Sequence, residues 1–447
     1  MTLYSSMVSS LIFPLHERLK RHDSVALLHE MEAVQWWAPA RLAALQLQRL
    51  RHLLQEVGVN VPYYKNLFEK TGFDPQSVQS LADLQRIPLL TKPLIRTHTE
   101  ALKNEQARGL KRLTTGGSSG EPLSFWLGKQ RISHDVAAKW RATRWWGVDI
   151  GDPEIVVWGS PIELGQQDRL KHWRDKLLRT QLLPAFEMSE SKLDQFIATI
   201  LTVKPRMLFG YPSALTHIAS HAQKRKVCLS DLGIQVVFVT SERLYEEQRR
   251  TLSQVFGCGV ANGYGGRDAG FIAHECPAGG MHLTADDLVV EIINEAGQVQ
   301  APGVAGEIVV THLSTPEFPF IRYRTGDIGA LGSTPCSCGR GLPLLQSIQG
   351  RSTDFVIAAD GTVMHGLSLI YILRDLPGIQ AFKVIQESRA LTQVLLVTEA
   401  GFLPDSVARI VRGFKQRLGA DVSVVVNLVA HIPAEKSGKF RYIISHA

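Results

Sequence analysis

Residues 236–242 read Val236-Val237-Phe238-Val239-Thr240-Ser241-Glu242. The run is β-branched or aromatic at every position up to Thr240, with no period-two alternation. A strand with that pattern must be covered on both faces. It turns polar at Ser241 and Glu242, its carboxyl end, where α/β sheets commonly bind ligands. Upstream, Ile155-Val156-Val157-Trp158 and Met207-Leu208-Phe209-Gly210-Tyr211 read as further buried strands. Downstream, 288–293 and 306–312 read as later strands, with turns at Glu295-Ala296-Gly297 and Pro302-Gly303. Strands of this kind separated by helix-length stretches predict an α/β fold.

Residues 1 to about 105 read as mostly helical. Leucines at helical spacing mark 40–57, and Val61-Pro62-Tyr63-Tyr64 breaks the pattern before another helix from Lys65. The apolar stretch 7–15 predicts a packed helix, with peripheral membrane contact by the first 20 residues as the alternative. It is too short and too poorly flanked for a signal peptide, and no run of about 18 apolar residues predicts a membrane span. Around Gly350 the pattern restarts as a compact α+β unit, with strands near 355–358, 382–385, 393–398 and 422–429 and a helix over 404–418. We therefore expect a large N-terminal domain, 1–350, with mixed sheets and helices, and a small mobile C-terminal domain, 351–447. A chain of 447 residues suits two or three domains.

The 49 basic residues exceed the 42 acidic ones only mildly, and they are scattered. That excludes an extended nucleic-acid footprint and predicts a general attraction for anionic substrates. The five cysteines form no disulfide framework, which points to a reducing, cytoplasmic setting.

Thr114-Thr115-Gly116-Gly117-Ser118-Ser119-Gly120-Glu121-Pro122 precedes an apolar strand at 123–126. Its glycines let successive N–H groups converge, and its hydroxyls add donors, a nest that suits phosphate oxygens. The Walker ending is missing. A polar surface loop would have the same composition, so the loop alone leaves both readings open. Cys276, His282, Cys336 and Cys338 form a second set, with His274 as a spare. Three thiolates and one imidazole suit tetrahedral Zn²⁺ in a closed structural site, although the spacing is not that of the common knuckle.

Taken in order, these motifs resemble the adenylate-forming acyl-CoA synthetases, and within them the phenylacetate-CoA ligase and CapK-like branch. The resemblance covers nearly the whole chain. It starts at Asn60-Val61-Pro62-Tyr63-Tyr64 and Leu89-Leu90-Thr91-Lys92 and continues through the loop at 114–122. Gly210-Tyr211-Pro212-Ser213, Thr240-Ser241-Glu242, Tyr264-Gly265-Gly266-Arg267-Asp268 and Tyr323-Arg324-Thr325-Gly326-Asp327 follow. Gly350-Arg351-Ser352 and Lys436-Ser437-Gly438-Lys439 complete it.

The resemblance implies an AMP-forming ligase that activates a small carboxylic acid with ATP and Mg²⁺ and passes the acyl group to coenzyme A. The loop Thr114, Thr115, Gly116, Gly117, Ser118, Ser119 and Gly120 would hold phosphates. Ser241, Glu242, Tyr264 and Gly265 would line the adenine site. Asp327 and Arg351 would contact the ribose. Asp268 would help hold Mg²⁺, beside Arg267, and Lys439 would set an ammonium between acid and phosphate. The branch often carries a Cys/His cluster where Cys276 to Cys338 stand.

Two positions depart from the pattern. Arg267 and Asp268 replace a hydroxyl residue and Glu, and Thr353 replaces an Asp. Transfer to a carrier protein, an amine or a sugar therefore stays open, as does a nucleotide-binding protein without catalysis. Association as a homodimer also stays open. Trp126, Trp158, Tyr211 and Phe238 are apolar candidates for the acid pocket, and equally for plain core.

Overall fold

A computed structural model describes the chain except residues 1–2, 115–122, 159–168, 186–187, 189, 352–354, 362, 366, 375 and 433–441. It forms two compact units, Met1–Ile348 and Gln349–Ala447.

The first unit begins helical. The helix Pro39–Asn60 buries Leu42, Leu50, Leu53, Leu54 and Val57, a stripe at steps of three, four and seven that keeps one face inward. It stops at Val61, whose backbone is extended (φ −115°, ψ 105°) because the following proline disfavours the α region. Pro62 then starts the helix Pro62–Thr71, in a position where its missing N–H costs nothing. The apolar stretch near the start is helical as expected, but only its inner face is packed. Val8 and Phe13 are buried, whereas Met7, Leu11 and Leu15 face outward. Among the described residues, no helix is long and apolar enough to cross a membrane.

Strands β1 (Lys111–Thr114) and β2 (Ser124–Leu127) form an antiparallel pair. A seven-stranded sheet follows: β3 (Glu154–Trp158), β4 (Thr180–Pro184), β5 (Met207–Gly210), β6 (Val236–Thr240), β7 (Gly259–Gly266), β8 (Gly270–Glu275) and β9 (Met281–Leu283), in the order β4-β3-β5-β6-β7-β8-β9. The strands from β4 to β7 are parallel, and β8 and β9 return antiparallel. Every residue of β6 is buried. Val236 and Phe238 pack with Ala142 of the helix Lys129–Arg144, while Val237 and Val239 pack with Leu215, Ile218 and Leu252 of helices on the other face. The unbroken apolar run of the sequence reflects those two covers.

A second sheet has the order β10 (Leu288–Ile293), β11 (Gly306–His312), β12 (Tyr323–Leu331), β13 (Leu345–Arg351). Its β11–β12 register jumps from Glu307↔Ile328 to Val309↔Arg324, so residues 325–327 bulge out opposite Ile308. Gly326 takes the left-handed conformation the bulge needs, at φ 80°. Leu90 docks beside β12, its N–H donating to the Arg322 carbonyl and its carbonyl accepting from the Arg324 N–H, both at 2.9 Å.

The second unit pairs β14 (Phe355–Ile357) with β15 (Val363–His365). Its four-stranded sheet has the order β18-β17-β16-β19, where β16 is Ile379–Ser388, β17 Leu391–Thr398, β18 Ser423–Leu428 and β19 Ile443–Ser445. The helix Asp405–Leu418 buries Ile410, Phe414 and Leu418.

Candidate functional site

β7 ends at Tyr264-Gly265-Gly266, and the chain turns through Arg267 and Asp268 into β8. β12 opens on Tyr323 and carries Asp327 on its bulge. Each segment places a tyrosine four residues ahead of an aspartate, and the two pair crosswise. Tyr264 donates its hydroxyl to Asp327 Oδ2 at 2.8 Å, and Tyr323 donates to Asp268 Oδ2 at 2.6 Å. Burial, and then the Asp327 carboxylate, hold the Tyr264 phenol well above its ordinary pKa, so the hydroxyl remains a donor.

Asp268 is fixed further by the Ala269 N–H, which donates to Oδ1 at 3.1 Å. Beneath it the fully buried Arg131 sends Nη1 and Nη2 to the Asp268 carbonyl at 3.4 Å, while its Nε pairs with Asp135 at 3.1 Å. Arg267 reaches the other way. Its Nη1 donates to the Thr114 carbonyl at 3.3 Å, which brings the end of β1 to the Tyr264–Asp268 segment. Thr115, Gly116, Gly117, Ser118, Ser119 and Gly120 lie outside the described residues.

At the carboxyl end of β6, Ser241 has φ 71°, a left-handed conformation that a serine adopts only where the surroundings impose it. Glu242 follows, and its Oε2 accepts the Ser213 N–H at 3.2 Å at the start of the helix Pro212–Lys224. A carboxylate suits the partial positive charge there. The bond ties Gly210-Tyr211-Pro212-Ser213 to Thr240-Ser241-Glu242. Alongside, Trp158 stacks on Tyr211 at 4.4 Å and on Phe209 at 6.0 Å, and Phe209 stacks on Phe238 at 5.7 Å. Trp126 stands apart on β2, under the Lys103 ammonium at 3.9 Å. Arg351 ends β13, but its side chain, like Lys439 and all of 433–441, lies outside the described residues.

The structure brings Cys276, His282, Cys336 and Cys338 together, with one ligand atom from each within 4.8 Å of the others. Cys276 Sγ lies 3.7 Å from Cys336 Sγ, and His282 Nε2 lies 3.2 Å from Cys338 Sγ. His282 Nδ1 faces the Leu342 carbonyl at 3.3 Å, a contact that puts the ring hydrogen on Nδ1 and turns the Nε2 lone pair to the sulfurs. Gly280 completes the cradle, since a Cβ there would meet Cys336 Sγ at 2.5 Å and His282 Nε2 at 3.2 Å. This donor set and its spacing fit a tetrahedral Zn²⁺. The spare candidate, His274, is not in the set. It pairs across the sheet with His282, and its ring stacks on Phe271 at 5.1 Å and leans on Phe238 at 5.9 Å.

Sequence reasoning gave Tyr323 no separate role and missed Arg131. Besides its local pair with Asp135, Arg131 meets the Asp268 carbonyl from 137 residues away, and no local pattern betrays that contact.

Comparison with known proteins follows from this geometry. The family model for the CapK C-terminal domain matches residues 356–446. Protein CapK of Staphylococcus aureus is 22% identical over 409 residues, covering 91% of this chain and 89% of that protein. The phenylacetate-coenzyme A ligase of Thermus thermophilus is 24% identical over 438 residues, covering 90% of this chain and 96% of that protein. A solved structure of 2-hydroxyisobutyryl-CoA ligase, in the postadenylation state with an acyl-AMP, superposes with a TM-score of 0.73 at 21% identity, covering 92% of this chain and 91% of the other. The fold is that of the adenylate-forming ligases.

Proposed function

We propose that this chain is an adenylate-forming ligase that activates a small carboxylic acid with ATP and passes the acyl group to the thiol of coenzyme A, a reading supported by its likeness to CapK and the phenylacetate-coenzyme A ligases. The observation that carries this reading is the crosswise pairing of Tyr264 with Asp327 and Tyr323 with Asp268. It supports a nucleotide seat, because two aspartates from separate sheets are held in fixed orientation next to Thr114. A carboxylate offers about four acceptor sites, enough for the Tyr264 hydroxyl and both ribose hydroxyls together.

In the first step a carboxylate oxygen of the acid attacks the α-phosphorus, the bond to pyrophosphate breaks, and acyl-AMP forms. Two anions must meet, so oriented donors and cations offset their repulsion. Amides of the loop from Thr114 to Gly120 would hold the departing phosphates, and Arg267, bonded to the Thr114 carbonyl, would add positive charge. Asp268, oriented by Tyr323 and the Ala269 N–H, fits a hard cation, and Mg²⁺ there would neutralise phosphate charge. Lys439, by its place in the C-terminal motif, would supply the compact positive charge that offsets the two anions. Ser241, Glu242, Tyr264 and Gly265 line the adenine, and Arg351 is a second ribose contact. In the second step the coenzyme A sulfur attacks the acyl carbon and AMP leaves.

Cys276, His282, Cys336 and Cys338 would hold a structural Zn²⁺ that takes no part in either step. Thiols kept for such a site suit a reducing, cytoplasmic setting. The CapK C-terminal domain match, with Arg267 and Thr353, supports a second reading in which a carrier protein, an amine or a sugar accepts the acyl group.

Pyrophosphate exchange into ATP across a panel of acids tests the first step, and no exchange with any acid would overturn the enzyme reading. Thioester formation on adding coenzyme A decides between the acceptors.

A further inference from the structure

The helical segments Leu3–Met7, Val8–Ile12 and Phe13–Leu19 follow one another without a break, the middle one a π-helix. Large apolar residues recur at every fourth position: Leu3, Met7, Leu11, Leu15 and Leu19 are 94, 45, 65, 57 and 77% exposed. A plain α-helix advances about 100° per residue, so each step of four overshoots by about 40° and such a row would wind around the helix. A π turn holds more residues per turn and swings the row back. The five side chains therefore stay on the outward face.

That face cannot roll inward. Ser5, Val8, Phe13 and Glu17 are buried on the opposite side. Ser5 Oγ donates to Asp152 Oδ1 at 2.6 Å, and the Tyr4 hydroxyl donates to the Leu177 carbonyl at 2.9 Å.

The exposed charges of residues 3–21 have one sign. Between Leu3 and Arg21 the single acid is Glu17, which is buried and accepts from Ser24 Oγ at 2.6 Å. Arg18, Lys20 and Arg21 are exposed at one end of the stripe. Burial first, with the Arg174 and Lys111 cations adding to it and Glu17 and Asp175 opposing it, holds the Lys20 ammonium below its ordinary pKa. Cations crowd here without an exposed carboxylate from the stripe to answer them.

We propose that the outward face of residues 3–19 docks on the surface of a bilayer rich in anionic phospholipid, with the stripe in the acyl boundary and Arg18, Lys20 and Arg21 among the headgroups. An apolar row edged by arginine and lysine is complementary to that surface in both respects. A second copy of the chain matches it less well, since its own stripe offers apolar contact but no opposite charge. Exposed apolar rows of this size mark interaction sites rather than ordinary surface.

The test is co-sedimentation of the purified chain with phosphatidylcholine vesicles, with and without phosphatidylglycerol. We expect binding to the phosphatidylglycerol vesicles, weakened by salt and at least tenfold weaker on phosphatidylcholine alone. The double variant L11S/L15S should lose at least tenfold, and R18Q/K20Q/R21Q should lose affinity only for the anionic vesicles. Both variants change exposed side chains, so circular dichroism and thermal melting should match the parent. Absence of binding to anionic vesicles at low salt would overturn the proposal, and so would equal binding by L11S/L15S. Sedimentation velocity gives the remaining outcome. If the parent is a dimer that L11S/L15S converts to a monomer, the face is an interface between copies and the membrane proposal fails.

Discussion

The Tyr264 hydroxyl and the Asp327 carboxylate, 2.8 Å apart, make different demands on a substitution. Tyr264→Phe keeps the ring and removes one donor to a charged acceptor. Such a bond is worth about 1.5–3 kcal/mol, so the KM for ATP in pyrophosphate exchange should rise about tenfold or more with kcat little changed. Tyr323→Phe should act differently, because its hydroxyl holds Asp268. We expect a higher Mg²⁺ requirement and a nearly normal KM for ATP, read by titrating Mg²⁺ at saturating nucleotide. Lys439→Ala should lower exchange by about 100-fold or more while nucleotide still binds, as expected for a charge used mainly in the transition state. Unchanged exchange would remove the role given to that lysine. At this scale the sequence was legible where type and spacing carry chemistry, as at Asp327 or Cys336-x-Cys338. Arg131 was not legible, because a buried arginine is recognised by what it touches, and its contact at Asp268 comes from distant chain.

Among the elements, the strands announced themselves and the irregularities did not. β6 could be read because burial on both faces removes the polar alternation of an ordinary strand. The bulge at residues 325–327 could not, since it exists only in the register of β12 against β11. Near the start the sequence left a packed helix and a peripheral membrane contact both open, because an apolar stretch in a sequence does not say which side has a partner. Cys276 directly follows β8 and His282 lies in the short β9, whereas the segment that carries Cys336 and Cys338 has little regular structure of its own, so the proposed metal should matter to that segment most. C336S/C338S should lose bound zinc in metal analysis and lower the thermal midpoint by several degrees. Chelation of the parent should do the same. Gly280→Ala is a finer probe, since its Cβ would meet Cys336 Sγ at 2.5 Å. It should weaken zinc retention without removing a ligand. Zinc content and melting unchanged in C336S/C338S would count against the site.

Across the whole molecule, several buried titratable side chains are held uncharged over a definite pH range. Burial holds His134 at about 4 and His274 at about 3, and it holds His312 well below the ordinary value of 6.5. Between pH 6.5 and about 4 the unfolded chain takes up protons that the folded imidazoles refuse, so acid removes stability. Asp287 runs the other way. Burial, with Asp286 beside it, pushes its pKa to about 8 from 3.8, so it favours the fold at low pH and loses that contribution as pH rises through 8. Three imidazoles oppose one carboxyl below pH 6.5, so the urea midpoint should be lower at about pH 5 than at about pH 6.5. A higher midpoint at the lower pH would mean that these histidines are charged in the fold. Hydrophobic patterning restarts near residue 350. The sequence could not foresee this internal titration, which depends on side chains buried together from distant segments.

The loop that carries Cys336 and Cys338 also reaches back to the first helices. The Gly341 N–H donates to the Gln35 carbonyl at 2.9 Å, Arg340 Nε donates to Gln35 Oε1 at 3.2 Å, and the Arg340 guanidinium lies over Trp36 at 4.8 Å. A Cβ at Gly341 would meet the Trp37 carbonyl at 1.8 Å, so only glycine can close this approach. The contact spans some 300 residues of chain. On the ribosome, these helices must therefore wait, partly uncovered, until some 300 further residues have been made. Assembly of this protein closes late, with its beginning fastened by a segment near its end.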